Sequence, residues 1–488
     1  MEDNKTIALY IVTIIVLIMI VWITVKYYKP NRTKSIEKMD DNTDYSYVQD
    51  VNNIQDPLDA QNVQDVQSGY NWDDNEQDTV INVENGIMRP INIELCDNGT
   101  LETCYGQNPN TPYIIADFGQ YDANDTSEEA VLGAFYMNNN QAVVLFGLSP
   151  PESKYWSFIP YLYKDPKCGE TELFATISDS FKMTDIPNGE IYGREIAIIY
   201  SCNPCLIDKL YDRYINEGYF VYKNPIPKYP DTAKYFILGR VSGFSNDQLR
   251  EDYLHNTNLE LSKYEDDSCG VTNLYSESSI MLRKRSTEGS ECNNIGPIFN
   301  KFKNTYLKTF SVAFPLYKYK LDGKVNRFRQ DIGYDSGFDC IANCTECLGD
   351  NRDTVYSVCT IPTRFTISDV LIMFGVNHNV TGKRLFTQIG VYDTLKQYGI
   401  NSIDIFDKKK PFYAVFISKV PLDVNKIQKF FPKNVATYFY RVPPKVQVIT
   451  VTERAYLQVL GNPGISADPS SIILPIVELR SLKPIPKE

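Results

Sequence analysis

Two stretches decide the fold, Ala142-Val-Val-Leu-Phe-Gly-Leu148 and Val370-Leu-Ile-Met-Phe-Gly-Val376. Each is a short, almost wholly apolar run rich in β-branched and aromatic residues, the composition of a buried strand, with a glycine near its end. The first is followed by Tyr155-Trp-Ser-Phe-Ile-Pro-Tyr-Leu-Tyr-Lys-Asp165 and the second by Leu385-Phe-Thr-Gln-Ile-Gly-Val-Tyr392-Asp393. Further out, Ile196-Ala-Ile-Ile-Tyr-Ser-Cys-Asn-Pro204 parallels Tyr413-Ala-Val-Phe-Ile-Ser-Lys-Val-Pro421, each a strand running to a proline that opens a helix. The first helix is expected over Leu206 to Tyr219, where Leu206, Ile207, Leu210, Tyr211 and Tyr214 share a face and Gly218 supplies the stop. The second carries Val424, Ile427 and Phe431 on one side, with Asp423 as its cap. A strand, loop, strand, strand, helix order met twice reads as an internal duplication. The expected fold class is α/β, with α+β as the alternative: two similar strand-rich lobes.

Upstream, Ile7 to Val25 contains no charge, glycine or proline. As a helix it spans about 28 Å, close to the hydrocarbon thickness of a bilayer. Trp22, Tyr27 and Tyr28 sit where interfacial aromatics belong, and the leader MEDNK lacks the basic charge of a signal peptide. We therefore expect an uncleaved anchor in residues 1–29. Residues 30–77 are rich in Asp, Asn and Gln and read as a disordered acidic spacer. A first lobe (78–225), a cysteine-containing insertion (226–364) and a second lobe (365–488) complete the plan. Lys26, Lys29, Arg32 and Lys34 follow the anchor and argue for a cytosolic body, whereas eleven cysteines argue for an external or lumenal one. The second placement is the expectation.

A net charge of -12 disfavours nucleic acid as a partner. The run Arg283-Lys284-Arg285 reads as a solvated loop. Only two histidines, His255 and His378, are present, which excludes a zinc site built on several imidazoles. No cofactor is expected. The partners expected are the lipid bilayer and other membrane or virion proteins.

Cys202-Asn-Pro-Cys205 lies between a strand-like run and an amphipathic helix, where a thioredoxin-type redox pair would sit, because a helix N-terminus lowers a thiol pKa. A structural disulfide or inert thiols are the plainer reading, since the second repeat has Lys419-Val-Pro-Leu422 there. Cys340, Cys344, Cys347 and Cys359 could ligate one zinc as four thiolates; disulfides among these, Cys269 and Cys292 are the better account in an oxidising compartment. Cys96 and Cys104 are expected to pair locally, leaving Cys168 as the free thiol. Asn98, Asn124, Asn343 and Asn379 head glycosylation sequons. The loop Gly375-Val-Asn-His-Asn-Val-Thr-Gly-Lys383 is not a Walker A; His378 as a base with Lys383 or Arg384 holding an anion competes there with an ordinary polar loop. Tyr155, Trp156 and Phe158 are either a stacking surface or core.

The stretches Ser149 to Asp165, Phe174 to Ser180, Gly375 to Tyr392 and Glu453 to Leu457 resemble a family of secreted or exported proteins of bacteria, fungi and algae, for which the resemblance implies no established activity. The Asn-, Asp-, Ile- and Tyr-heavy composition and the short acidic leader before an anchor resemble membrane proteins of amoeba-infecting giant DNA viruses. That likeness implies a virion membrane or a host endomembrane. The expected function is a single-pass membrane protein with a structural or binding ectodomain and no enzymatic activity; the alternative is a thiol-disulfide oxidoreductase using Cys202 and Cys205.

Overall fold

Eight strands build the first lobe: β1 (Asn82–Pro90), β2 (Tyr113–Asp117), β3 (Gln141–Leu148), β4 (Tyr155–Lys164), β5 (Glu195–Ser201), β6 (Phe220–Pro225), β7 (Lys234–Ser242) and β8 (Leu259–Glu265). The computed structural model describes residues 82–482 apart from 92–94, 96–110, 122–124, 314–316, 319–328, 331–336, 362–363 and 406–408. The expected anchor, the spacer, Cys96, Cys104, Asn98 and Asn124 lie outside the described residues. Among the described residues no helix is long and apolar enough to cross a membrane.

The first-lobe strands join in the order β4-β7-β2-β1-β8-β3-β5-β6, and with three two-residue strands at Phe135–Tyr136, Ala175–Thr176 and Phe181–Lys182 they make an eleven-stranded sheet. Helix α1 (Pro204–Asn216) connects β5 to β6, which pair in parallel; α2 (Asp247–His255) connects β7 to β8. Helix α1 starts where its sequence dictates. Asn203 accepts the backbone N–H groups of Cys205 and Leu206, and Pro204 occupies a first-turn position that has no helical acceptor to lose. Its face of Leu206, Ile207, Leu210 and Tyr214 packs on Val144, Ala197 and Ile199 of the sheet.

Helices α3 (Gly296–Ala313) and α4 (Gly337–Asn343) precede the second set of strands: β9 (Thr354–Thr360), β10 (Asp369–Val376), β11 (Phe386–Asp393), β12 (Tyr398–Ile405), β13 (Phe412–Ser418), β14 (Val435–Arg441), β15 (Ile449–Tyr456) and β16 (Ile476–Ser481). These form two five-stranded sheets. One runs Arg329–Gln330, β9, β15, β11, β12; the other runs Tyr317–Lys318, β16, β10, β13, β14. A core of Leu371, Met373, Ile389, Val391, Val415 and Val451 draws on both. A short helix, α5 (Val424–Gln428), links β13 to its parallel partner β14. Asp423 caps it as expected, accepting the Lys426 N–H at 2.9 Å, but Phe431 lies beyond its end.

The architecture is therefore α+β. Only β5/β6 and β13/β14 run parallel among the described strand pairs; the rest are antiparallel hairpins and returns, so the α/β expectation is corrected. The expected boundary at residue 226 is also displaced. Strands β7 and β8 pair with β4 and β3, inside the first sheet, because each offers a buried run that needs neighbours on both sides. Strand β9 likewise pairs with β15 ahead of residue 365. The two quoted stretches agree in register. Gly147 on β3 faces Ile196 on β5, and Gly375 on β10 faces Tyr413 on β13. Ile196 and Tyr413 then face Phe220 and Ala436 on the parallel strands that follow.

Candidate functional site: a buried histidine, glutamate and arginine cluster

Strand β10 runs into Asn377-His378-Asn379-Val380-Thr381-Gly382-Lys383-Arg384, the loop singled out in the sequence. Two asparagines pin it. The Asn377 amide donates to the Lys410 carbonyl at 2.9 Å, and the Asn379 amide donates to the Ile405 carbonyl at 2.7 Å while accepting Thr387 Oγ1 at 3.0 Å. This pinning turns His378 inward, where it is 0% exposed. Its Nδ1 lies 2.5 Å from Glu291 Oε1 and its Nε2 lies 3.4 Å from Glu453 Oε1.

Both carboxylates are tied down by other elements. Glu291, on the helical turn Glu291–Asn294, accepts the Thr381 hydroxyl at 2.5 Å and the Ile473 N–H at 2.8 Å. Glu453, on β15, accepts the Tyr413 hydroxyl at 2.7 Å. The Tyr413 ring reaches across β10 over Gly375, where a Cβ would collide with it, so Gly375 has a packing reason. Arg384 is 2% exposed, and among the described residues none of its three guanidinium nitrogens has a hydrogen-bond partner. The Lys383 ammonium donates to the Glu288 carbonyl.

Burial and Arg384 both push the imidazole toward neutrality, but Glu291 and Glu453 reverse this and hold His378 above its ordinary value. Burial pushes both carboxyl groups up, and His378 pulls each below its usual range. Burial lowers Arg384. The arrangement is a carboxylate, imidazolium, carboxylate relay that retains a proton. It is sealed, with Glu291, His378, Lys383 and Glu453 all 0% exposed, so no substrate atom reaches a base here. Lys383 serves a backbone carbonyl instead of holding an anion. Glu291 was not singled out from the sequence, and Tyr413 and Glu453 were quoted only as members of strand-like stretches; the one signal for a site was a charged pair, Glu453-Arg454, inside such a run.

The cysteines part company with several expectations. Cys205 is bonded to Cys269 and not to Cys202, so the Cys202-Cys205 motif is not a redox pair. Cys202 is a buried thiol pushed up to about 11, foremost by burial, which is the opposite of what a thiolate nucleophile needs. Cys168 pairs with Cys344, correcting its assignment as the free thiol, and Cys340 pairs with Cys347. With three of its four thiols oxidised, the Cys340, Cys344, Cys347, Cys359 zinc alternative falls; Cys359 packs in the second-lobe core. Among the described residues no group of His, Cys, Asp or Glu is placed to hold a metal ion. Cys292 is exposed, and forms none of these bonds.

Asn343 is exposed at the end of α4, whereas both ends of the Asn379 amide are engaged by the fold. Tyr155, Trp156 and Phe158 are each 0% exposed and belong to the core. Arg283 pairs with Asp185 at 2.8 Å and donates to the Gly464 carbonyl, so that basic run is anchored at its first residue.

No family model matches the chain, and no curated protein matches it. Among solved structures, the chain is similar to an uncharacterised protein from Burkholderia cenocepacia, at 9% identity and a TM-score of 0.37 over 77% of this chain and 78% of that one. It is also similar to the VPA0106 protein from Vibrio parahaemolyticus, at 10% identity and a TM-score of 0.35 over 77% of this chain and 90% of that one.

Proposed function

We propose that the chain is a single-pass membrane protein whose disulfide-braced globular part is a structural or binding ectodomain on the oxidising side of a virion membrane or host endomembrane. The observation that carries this reading is the Cys205–Cys269 bond, which takes Cys205 out of thiol exchange with Cys202. Two further bonds, Cys168–Cys344 and Cys340–Cys347, brace the same body, as suits an oxidising compartment. The sealed cluster around His378 supports a fold-holding role over catalysis. The shared register of β3/β5/β6 and β10/β13/β14 supports an internal duplication behind the two lobes. The anchor rests on the apolar run Ile7 to Val25.

A non-reducing peptide map of protein from its native source tests the compartment, and the expected peptides are those linked by the three bonds. Brief iodoacetamide treatment of the native protein should label exposed Cys292 and leave Cys202 intact until unfolding. Reduced thiols throughout, or insulin reduction lost on Cys202→Ser substitution, would return the molecule to the cytosol or to enzymology.

A further inference from the structure

Two Asn-x-Thr sequons fall on described residues, Asn343-Cys344-Thr345 and Asn379-Val380-Thr381, and the fold treats them oppositely. Attachment of an N-linked oligosaccharide needs an asparagine amide and a hydroxyl two residues on, and the product needs open solvent around the amide nitrogen. At the second sequon neither group is spare. The Asn379 amide donates to the Ile405 carbonyl at 2.7 Å and accepts Thr387 Oγ1 at 3.0 Å, while the Thr381 hydroxyl donates to Glu291 at 2.5 Å within the sealed histidine cluster. A sugar there would unpin the loop that places His378.

The first sequon has the reverse character. Asn343 closes α4, and Cys344, in a left-handed conformation at φ 49°, turns the chain back so that the Thr345 N–H reaches the Cys340 carbonyl at 3.0 Å. The bonds Cys168–Cys344 and Cys340–Cys347 fix this turn. They hold Cys340 and Cys347 inside, each 0% exposed, while Asn343 and Thr345 stand exposed on either side of half-buried Cys344. The Asn343 amide spends one of its two hydrogens on the Asp339 carbonyl at 2.7 Å, and the Thr345 hydroxyl is tied to no other group among the described residues. Asn343 can therefore exchange its second amide hydrogen for a sugar without losing a bond to the fold.

We propose that Asn343 carries an N-linked oligosaccharide and that Asn379 does not. The inference rests on the external or lumenal placement of the globular part, because the transfer takes place on that side of a secretory membrane. The donor is an oligosaccharide of the polyisoprenyl diphosphate class, supplied with its transferase by the host. Asn343 Nδ2 bonds to the anomeric carbon of the first sugar, and the bond from that carbon to the diphosphate oxygen breaks. The lipid diphosphate leaves with the electron pair of that bond, and Nδ2 gives up one proton. Nothing is oxidised or reduced, so the step makes no demand on the neighbouring disulfides.

The test expresses the full chain in a eukaryotic cell, extended at its C-terminus by a flexible tag that ends in Asn-Gly-Thr and reports the compartment on its own. Monodisperse protein is digested and its sugars are released by an amidase in heavy-oxygen water, which turns each glycosylated asparagine into a labelled aspartate readable by mass spectrometry. Mapping site by site is needed because Asn98 and Asn124 also head sequons. Label is expected at the tag and at Asn343, with none at Asn379. Asn343→Gln and Thr345→Ala, two routes to one loss, should each remove a single glycan step from the electrophoretic mobility, and Asn379→Gln should remove none. A labelled tag with a bare Asn343, or label on Asn379, would overturn the inference and leave the placement standing. An unlabelled tag would overturn the placement, and the inference with it.

Discussion

His378 is one of two histidines in the chain, and its burial between Glu291 and Glu453 ties stability to pH. Its pKa is raised in the fold, so its contribution is complete below the unfolded value of about 6.5 and is lost as pH climbs through the folded value. The two carboxyl groups are lowered, so theirs is complete above about 4.3 and is lost as pH falls through their folded values. The cluster should therefore stabilise most between about pH 4.3 and 6.5. Thermal midpoints measured across pH should fall on the alkaline side of that window, and His378→Gln should flatten that limb. Glu453→Leu removes one of the two carboxylates that balance the imidazolium and leaves the buried Tyr413 hydroxyl without its acceptor, and should cost about 3–5 kcal/mol by denaturant unfolding. None of this was visible along the sequence, because Glu291, His378 and Glu453 come from three distant segments whose meeting depends on tertiary packing.

Helix α1 and the strands around it were the most legible element. Its amphipathic face and its Pro204 start were encoded locally, and the observed Pro204–Asn216 sits close to the expected span. Strands β7 and β8 were misassigned for a physical reason: they pair with β4, β2, β3 and β1, and nothing in a strand's own residues names its neighbours. Disulfide partners were hidden likewise, as Cys168 and Cys344 are 176 residues apart. The Cys205–Cys269 bond ties the first turn of α1 to the turn Asp267–Cys269 after β8, closing a loop of 64 residues. A loop of that length implies roughly 4 kcal/mol of restraint on the unfolded chain. Cys269→Ser should accordingly lower stability by about 2–4 kcal/mol in denaturant titrations under non-reducing conditions, with the wild type falling further once all three bonds are reduced.

Across the whole molecule the lobes share a core as well as a chain. Tyr456 of β15 packs against Tyr155 of β4 at 4.5 Å between ring centroids and against Phe386 of β11 at 5.5 Å, and the Tyr155 hydroxyl donates to Asp353 at 2.8 Å. Lys182, 0% exposed, adds an ion pair to Asp185 at 3.2 Å and lies 3.7 Å from Asp353. Such joint burial predicts one cooperative unfolding transition. Tyr456→Ala should cost about 3–5 kcal/mol and split the calorimetric trace into two, the second-lobe core melting apart from the eleven-stranded sheet. A single, merely shifted transition would mean that the lobes are coupled elsewhere.

The position of β16 inside its sheet, between Tyr317–Lys318 and β10, sets an order of events during synthesis. It is the last described strand to leave the ribosome, yet it must slot beside β10, whose other edge is already taken by β13. While the nascent chain waits, one flank of β10 stays open to any passing extended peptide, and a stop codon shortly before Ile476 would leave it open for good. Truncated products should accordingly be found with chaperones or in aggregates, whereas the first-lobe sheet, whose strands are all in hand by Glu265, has time to close first.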